Sequence, residues 1–199
     1  MGIFVIDDQP LMRDAVARLI YRLQPNAHII ELDSLATASS AARGHGAPSL
    51  ITVDLKLPDN IGAAAVVCLK KQFPQAHLVV LSAAPAKEFE EACMDAGADV
   101  YIQKSAGATE ISTVLQLFLQ QDLDPASSDA SATAPGEKLS KRQKQLLLML
   151  DQGMSNRDIA GALTISEHTV KVHLWRLFKR LKVKSRSQAS HLARTHSLF

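Results

Sequence analysis

Over residues 1–121 short apolar runs alternate with longer amphipathic stretches. The runs at 3–6, 28–32, 50–53, 78–81 and 100–102 are rich in Ile, Val and Leu and end at polar or turn-forming residues, as buried strands do. Between the first two, Met12, Ala15, Val16, Leu19, Ile20 and Leu23 recur three to four residues apart, while Arg13, Asp14, Arg18 and Arg22 fill the other face. That spacing predicts an amphipathic helix. Residues 66–73, 88–96 and 111–119 repeat it. Strands alternating with helices predict a doubly wound α/β domain, a five-stranded parallel sheet with helices on both faces.

After residue 138 the strand signal stops. Four short helical segments follow, beginning near Ser140, Ser155, Ser166 and Ser185, each serine suited to cap the first turn of its helix. Gly153 stands where the first should stop, and only Thr164-Ile165 separates the second from the third, a connection that predicts a helix-turn-helix. Between the halves, 122–137 reads DLDPASSDASATAPGE, too poor in apolar residues to fold, and is predicted as a flexible linker. The expected layout is an α/β domain over 1–121, the linker over 122–137 and a small all-α four-helix domain over 138–199.

Charge separates the same three segments. Residues 1–121 carry 9 Lys/Arg against 13 Asp/Glu and 122–137 carry 4 acids and no base, whereas 138–199 carry 13 bases against 3 acids. A surplus of ten positive charges over 62 residues is the footprint of a nucleic-acid binder, although an acidic membrane surface or partner would attract it too. The longest apolar runs, such as 78–81 and 146–150, fall far short of the ~20 residues of a membrane span. The start runs from Met1 to Ile6 and straight into two acids, without the basic segment and cleavage site of a secretory signal, so a cytoplasmic protein with no membrane partner is expected. Cys68 and Cys93 fall in helical apolar stretches where a thiol acts as a small hydrophobe. No histidine has zinc-ligand spacing to cysteines or carboxylates.

In an open parallel sheet, ligands bind in the crevice outside the carboxyl ends of the strands. Asp7 and Asp8 follow the first predicted strand, Asp54 the third, Ser82 the fourth, and Lys104 comes soon after the fifth. Three carboxylates meeting there would repel one another without a cation, and their hard oxygens favour Mg²⁺. With that charge neutralised, one carboxylate can attack a phosphoryl group and form an acyl phosphate, Lys104 balancing the phosphoryl oxygens and Ser82 donating a hydrogen bond. Any one of these residues reads equally well as loop solvation or a salt bridge. Their joint placement favours the chemistry.

Val5-Ile6-Asp7-Asp8, Val53-Asp54-Leu55-Lys56-Leu57-Pro58, Leu81-Ser82-Ala83 and Gly97-Ala98-Asp99-Val100-Tyr101-Ile102-Gln103-Lys104 follow the motifs of receiver domains in order and spacing. Residues 2–121 thus resemble that family, whose fold is flavodoxin-like. The resemblance implies that Asp54 is phosphorylated, that Asp8, Asp54 and the Lys56 backbone carbonyl ligate Mg²⁺, and that Asp7 contacts the ion through water. It also implies a switch in which Ser82 follows the phosphoryl group while the Tyr101 ring turns inward; a half-buried aromatic near the edge strand is the plainer reading of Tyr101. The chain departs from the family at Asp59-Asn60-Ile61-Gly62, where a Gly-Met-Asp-Gly-like turn is more usual. A Mg²⁺-dependent phosphohydrolase would want an acid-base carboxylate two residues past Asp54; Lys56 stands there, so a switch is expected rather than an enzyme.

Leu139-Ser140-Lys141-Arg142-Gln143, Gly153-Met154-Ser155-Asn156-Arg157-Asp158-Ile159-Ala160, Ile165-Ser166-Glu167-His168-Thr169-Val170-Lys171-Val172-His173-Leu174 and Val183-Lys184-Ser185-Arg186 resemble the LuxR-type helix-turn-helix over 139–190, with Gln143 where the family usually has glutamate. Both halves together resemble a NarL/FixJ-type response regulator, which implies a sensor histidine kinase as phosphodonor, double-stranded DNA as target and a homodimer when active. Independently, Val170, Leu174, Leu177 and Leu181 form an inward stripe on the third helix, leaving Lys171, Val172, Trp175 and Lys179 on other faces. The resemblance points to Lys171, Val172 and Trp175 as base contacts, Lys171 reaching guanine and Val172 a thymine methyl; a buried packing role for Trp175 is an equal alternative. Arg157, Lys179, Arg180, Lys182, Lys184 and Arg186 are expected at phosphates, His168 and His173 as capping or packing residues. Ala189, Leu192 and Ala193 on the final helix are either a dimer surface or a cover for the domain's own core. An adaptor whose basic half binds protein or membrane is the competing reading.

Overall fold

The computed structural model describes residues 2–119, 139, 141–183, 185–196 and 198, with the backbone alone at 60, 61, 141, 142 and 168. The predicted linker, the Ser140 cap and Lys184 lie outside the described residues. The chain divides into two compact units, Met1–Leu123 and Asp124–Phe199.

In the first unit the order is β1 (Gly2–Ile6), α1 (Pro10–Leu23), β2 (His28–Leu32), α2 (Ala38–His45), β3 (Leu50–Val53), the short strands β4 (Lys56–Leu57) and β5 (Asn60–Ile61), α3 (Ala63–Gln72), β6 (His77–Ser82), α4 (Ala86–Asp95), β7 (Val100–Gln103) and α5 (Ala108–Leu119). The sheet runs β2-β1-β3-β6-β7, every pairing parallel. Residues of β1, β3, β6 and β7 alternate between two buried faces, whereas the edge strand β2 is covered only in part. Phe4, Ile6, Ile51, Val53, Leu78 and Val80 share one core with Val66 and Leu69 of α3 and Cys93 of α4. Ile3, Val5, Leu50, Val79 and Ile102, also buried, point the other way, where α1 packs against β1, β2 and α5. Both cysteines are free, Cys68 exposed and Cys93 buried.

The sequence pattern did not reveal α2 or the β4–β5 hairpin. In α2, an Ala/Ser/Gly-rich stretch, only Ala38 is buried, so no apolar stripe marks the helix.

The second unit contains α6 (Lys141–Asp151), α7 (Asn156–Leu163), α8 (Glu167–Leu181) and α9 (Arg186–Thr195). Ser155, Ser166 and Ser185 cap α7, α8 and α9, accepting hydrogen bonds from the amides of Asp158, Thr169 and Gln188. Leu146, Leu147 and Leu150 of α6 meet Val170, Leu174, Leu177 and Leu181 of α8, with Ala189 and Ala193 of α9, in one core. Thr164, in the turn between α7 and α8, is left-handed at φ 54°. No helix among the described residues is long and apolar enough to cross a membrane.

Candidate functional site

Parallel pairing carries the acids to one end of the sheet. The Asp7 amide donates to Leu32 O at 3.0 Å and the Asp54 amide to Ile6 O at 2.9 Å, each extending a strand ladder by one residue. One carboxylate oxygen from each of Asp7, Asp8 and Asp54 lies within 4.8 Å of the other two. Asp7 and Asp54 are buried, at 4 % and 2 % exposure, while Asp8 is open to solvent. Lys104 joins them from the segment after β7, its Nζ 2.6 Å from Asp54 Oδ2 and 2.9 Å from Asp7 Oδ2. The Lys104 amide also donates to Ser82 O at 2.8 Å.

Burial pushes the Asp7 carboxyl above its ordinary range, against hydrogen bonds from Lys104 and the Gln9 amide that hold it down. For Lys104 burial disfavours the ammonium, but the bonds to Asp54 and Asp7 outweigh it and leave the group above its usual value. Asp54 Oδ1 is buried without a hydrogen-bond partner. An unsatisfied buried oxygen is costly and calls for a ligand. Hard carboxylate oxygens this close together suit a small divalent cation such as Mg²⁺. Lys56 opens β4 with its side chain in solvent.

Ser82 and Tyr101 are both 0 % exposed, so the ring lies inward. The Tyr101 hydroxyl donates to Ala84 O at 2.8 Å, and the same carbonyl accepts Gln103 Nε2 at 3.3 Å. Ser82 Oγ accepts the Ala84 amide at 3.2 Å. Burial raises the Tyr101 pKa. The sequence assigned no site role to Gln103 or to Arg13, which donates to Asp7 O at 2.7 Å and approaches Glu31 at 3.6 Å. Arg13 falls in the first turn of α1, close enough to the acid pair to clamp it; that position was the available signal.

In the basic unit Arg157, Lys179, Arg180 and Lys182 are exposed, and Lys171, His173 and Trp175 half-buried. Lys179 Nζ sits 5.3 Å from the Trp175 ring centroid, a cation–π pair one helical turn apart. Two expectations need correction. Val172 is 0 % exposed, so its isopropyl group is not presented to a groove; an apolar side chain gains by being covered even on a largely polar helix face. Arg186 donates to the carbonyls of Leu150, in the last turn of α6, and Met154, in the α6–α7 connection, so its guanidinium ties that connection to the start of α9 by charge-assisted bonds. Ala189 and Ala193 are buried in the unit's own core and Leu192 packs against it, which removes that stripe as a dimer surface.

Residues 3–116 match the response regulator receiver domain family, and residues 137–193 match the luxR family of bacterial regulatory proteins. The nitrate/nitrite response regulator protein NarP of Escherichia coli is 32 % identical, covering 96 % of this chain and 93 % of its own. NarL of the same organism is 27 % identical, covering 99 % and 96 %. Among solved structures, the Salmonella typhimurium RcsB response regulator shares the fold with a TM-score of 0.53 at 18 % identity, over 98 % of each chain.

Proposed function

Because this chain belongs to the response-regulator family, a receiver domain joined to a LuxR-type DNA-binding domain in a transcription regulator rather than an enzyme, we propose that Asp54 is its phosphoacceptor and that phosphorylation controls DNA binding. The observation that carries this is the Asp54 carboxylate itself, one oxygen held by Lys104 and the other buried and unpaired. An Asp54 oxygen forms the new P–O bond while the P–N bond of a kinase phosphohistidine breaks and its electron pair leaves with the imidazole. Lys104 steadies the phosphoryl oxygens, and the Ser82 hydroxyl, which accepts the Ala84 amide, donates its own proton to them. Asp8, Asp54 and the Lys56 carbonyl would hold Mg²⁺, with Asp7 reaching it through water. Bound there, the ion neutralises the carboxylates and the incoming phosphoryl charge.

The receiver spans 1–121, the linker 122–137 and the DNA-binding domain 138–199, in a cytoplasmic protein that pairs as a homodimer when active. In α8, Lys171 and Trp175 read base edges, while Arg157, Lys179, Arg180, Lys182 and Lys184 position the duplex through its phosphates. One experiment tests the whole reading. Incubated with acetyl phosphate and Mg²⁺, the wild type should retain a stable label and change its duplex affinity; Asp54→Ala should take no label while keeping its far-ultraviolet circular dichroism. Label on the variant would displace the site from Asp54, and identical DNA affinity of labelled and unlabelled protein would remove the control function.

A further inference from the structure

The turn in which the sequence departs from the receiver pattern makes a connection that the mechanism above does not use. Asp59 occupies the two-residue turn of the β4–β5 hairpin, in which Lys56 pairs with Ile61 and Leu57 with Asn60. The Gly62 amide closes the loop on Leu55 O at 2.8 Å. From this turn Asp59 Oδ1 accepts the Leu35 amide at 3.2 Å and Oδ2 the Ala36 amide at 2.7 Å, so one carboxylate grips two successive amides 24 and 23 residues away in the chain. Those amides belong to the connection between β2 and α2. That connection leaves the sheet at Leu32, whose carbonyl accepts the Asp7 amide, and Leu35 anchors it in the core at 8 % exposure. A single side chain therefore links the segment carrying Lys56 to the backbone beside Asp7.

We propose that Asp59 is a positioning residue for the acidic pocket: by fastening the β4–β5 hairpin to the β2–α2 connection, it holds the Lys56 backbone where its carbonyl completes the cation site, and so sets the affinity for Mg²⁺. This rests on the assignment of Asp8, Asp54 and the Lys56 carbonyl as ligands. A hairpin of two residue pairs has little stability of its own. Carboxylate-to-amide bonds are charge-assisted and stronger than neutral ones. Without them, the ordering of the hairpin falls on ion binding, and fixing one backbone residue costs roughly as much free energy as a tenfold change in an equilibrium constant.

The test is a Mg²⁺ titration of the full chain followed by amide NMR shifts in the segments around Asp8 and Asp54, for the wild type, Asp59→Ala and Asp59→Asn. Asp54 labelling by acetyl phosphate across the same Mg²⁺ range is the second readout. Asp59→Ala should bind Mg²⁺ about tenfold more weakly and need correspondingly more of it for half-maximal labelling, yet label at the wild-type rate once Mg²⁺ saturates. Asp59→Asn keeps a carbonyl acceptor without the charge and should fall between. Equal Mg²⁺ affinity in Asp59→Ala and the wild type overturns the proposal. So does an equal loss in both variants that disappears at high salt, which is the behaviour of a missing charge rather than of a loosened loop. A wild type that neither binds Mg²⁺ nor takes label would instead overturn the ligand assignment, an outcome distinct from a variant that matches a competent wild type.

Discussion

Replacing Lys104 by methionine keeps the length of the side chain and removes its charge, which isolates what the ammonium does for the pocket. Its Nζ is within 3 Å of two carboxylates, and all three side chains are at most 8 % exposed. Removing one partner of a buried ion pair leaves an uncompensated charge and typically costs about 3 to 5 kcal/mol. Asp7 limits the damage. Its pKa is raised by burial even beside Lys104, so its charged form opposes folding above that pKa, and the penalty is relieved as pH falls through it. Without Lys104 the Asp7 pKa rises further, and protonation becomes the cheaper escape. We expect Lys104→Met to lose about 3 kcal/mol at pH 8 in chelator, with a smaller deficit near pH 5 and a smaller one again when Mg²⁺ replaces the missing positive charge.

Urea unfolding of the full chain measures this cleanly, because the only tryptophan, Trp175, lies in the second unit. Its fluorescence transition serves as an internal control that the substitution should leave unmoved, while hydrogen exchange in β1 and β3 follows the receiver. A deficit below about 1 kcal/mol, the scale of an exposed ion pair, or one indifferent to both pH and Mg²⁺, would refute this account of the pocket.

Three further outcomes are expected in the second unit. Thr164→Asn relieves a β-branched residue at φ 54° and should stabilise the unit by about 1 kcal/mol, read from the Trp175 unfolding transition; no gain would mean that the left-handed turn carries no strain. Arg186→Ala should destabilise by about 1 to 2 kcal/mol through two lost carbonyl contacts and leave the salt dependence of DNA binding unchanged, whereas a slope smaller by about one would return Arg186 to the phosphate contacts. The Asp158 carboxyl is held below its ordinary value by hydrogen bonds from the Ser155 side chain and backbone. Its cap therefore supports α7 fully above about pH 4 and is lost as pH falls through the lower folded value; amide shifts of α7 should show this fraying, and Asp158→Asn should abolish its pH dependence.

The sheet was legible because strands buried on both faces carry near-continuous apolar runs, as 50–53 does, while the edge strand 28–32 was found from the short run Ile29-Ile30 and Leu32 despite its exposed His28 and Glu31. The acids were legible through topology, since a parallel sheet brings the residue after each strand to a common end. Partner choice was not legible. The destination of Arg186 depends on where the last turn of α6 ends, and the two amides met by Asp59 are distant in sequence. Periodicity put Val172 on the side of α8 away from Val170, but periodicity reports direction and not what covers that direction. For α2, small residues packing at one position leave no stripe to detect.

The Ala84 carbonyl has two suitors, a phenol and an amide from neighbouring positions of β7. If the aromatic ring swung outward, the oxygen would still have the amide, so the excursion would sacrifice a single bond and strand no acceptor. What holds the ring inward is then chiefly its own burial in the core, and a stimulus that moves it has the cost of uncovering an aromatic side chain to meet, not that of an orphaned carbonyl.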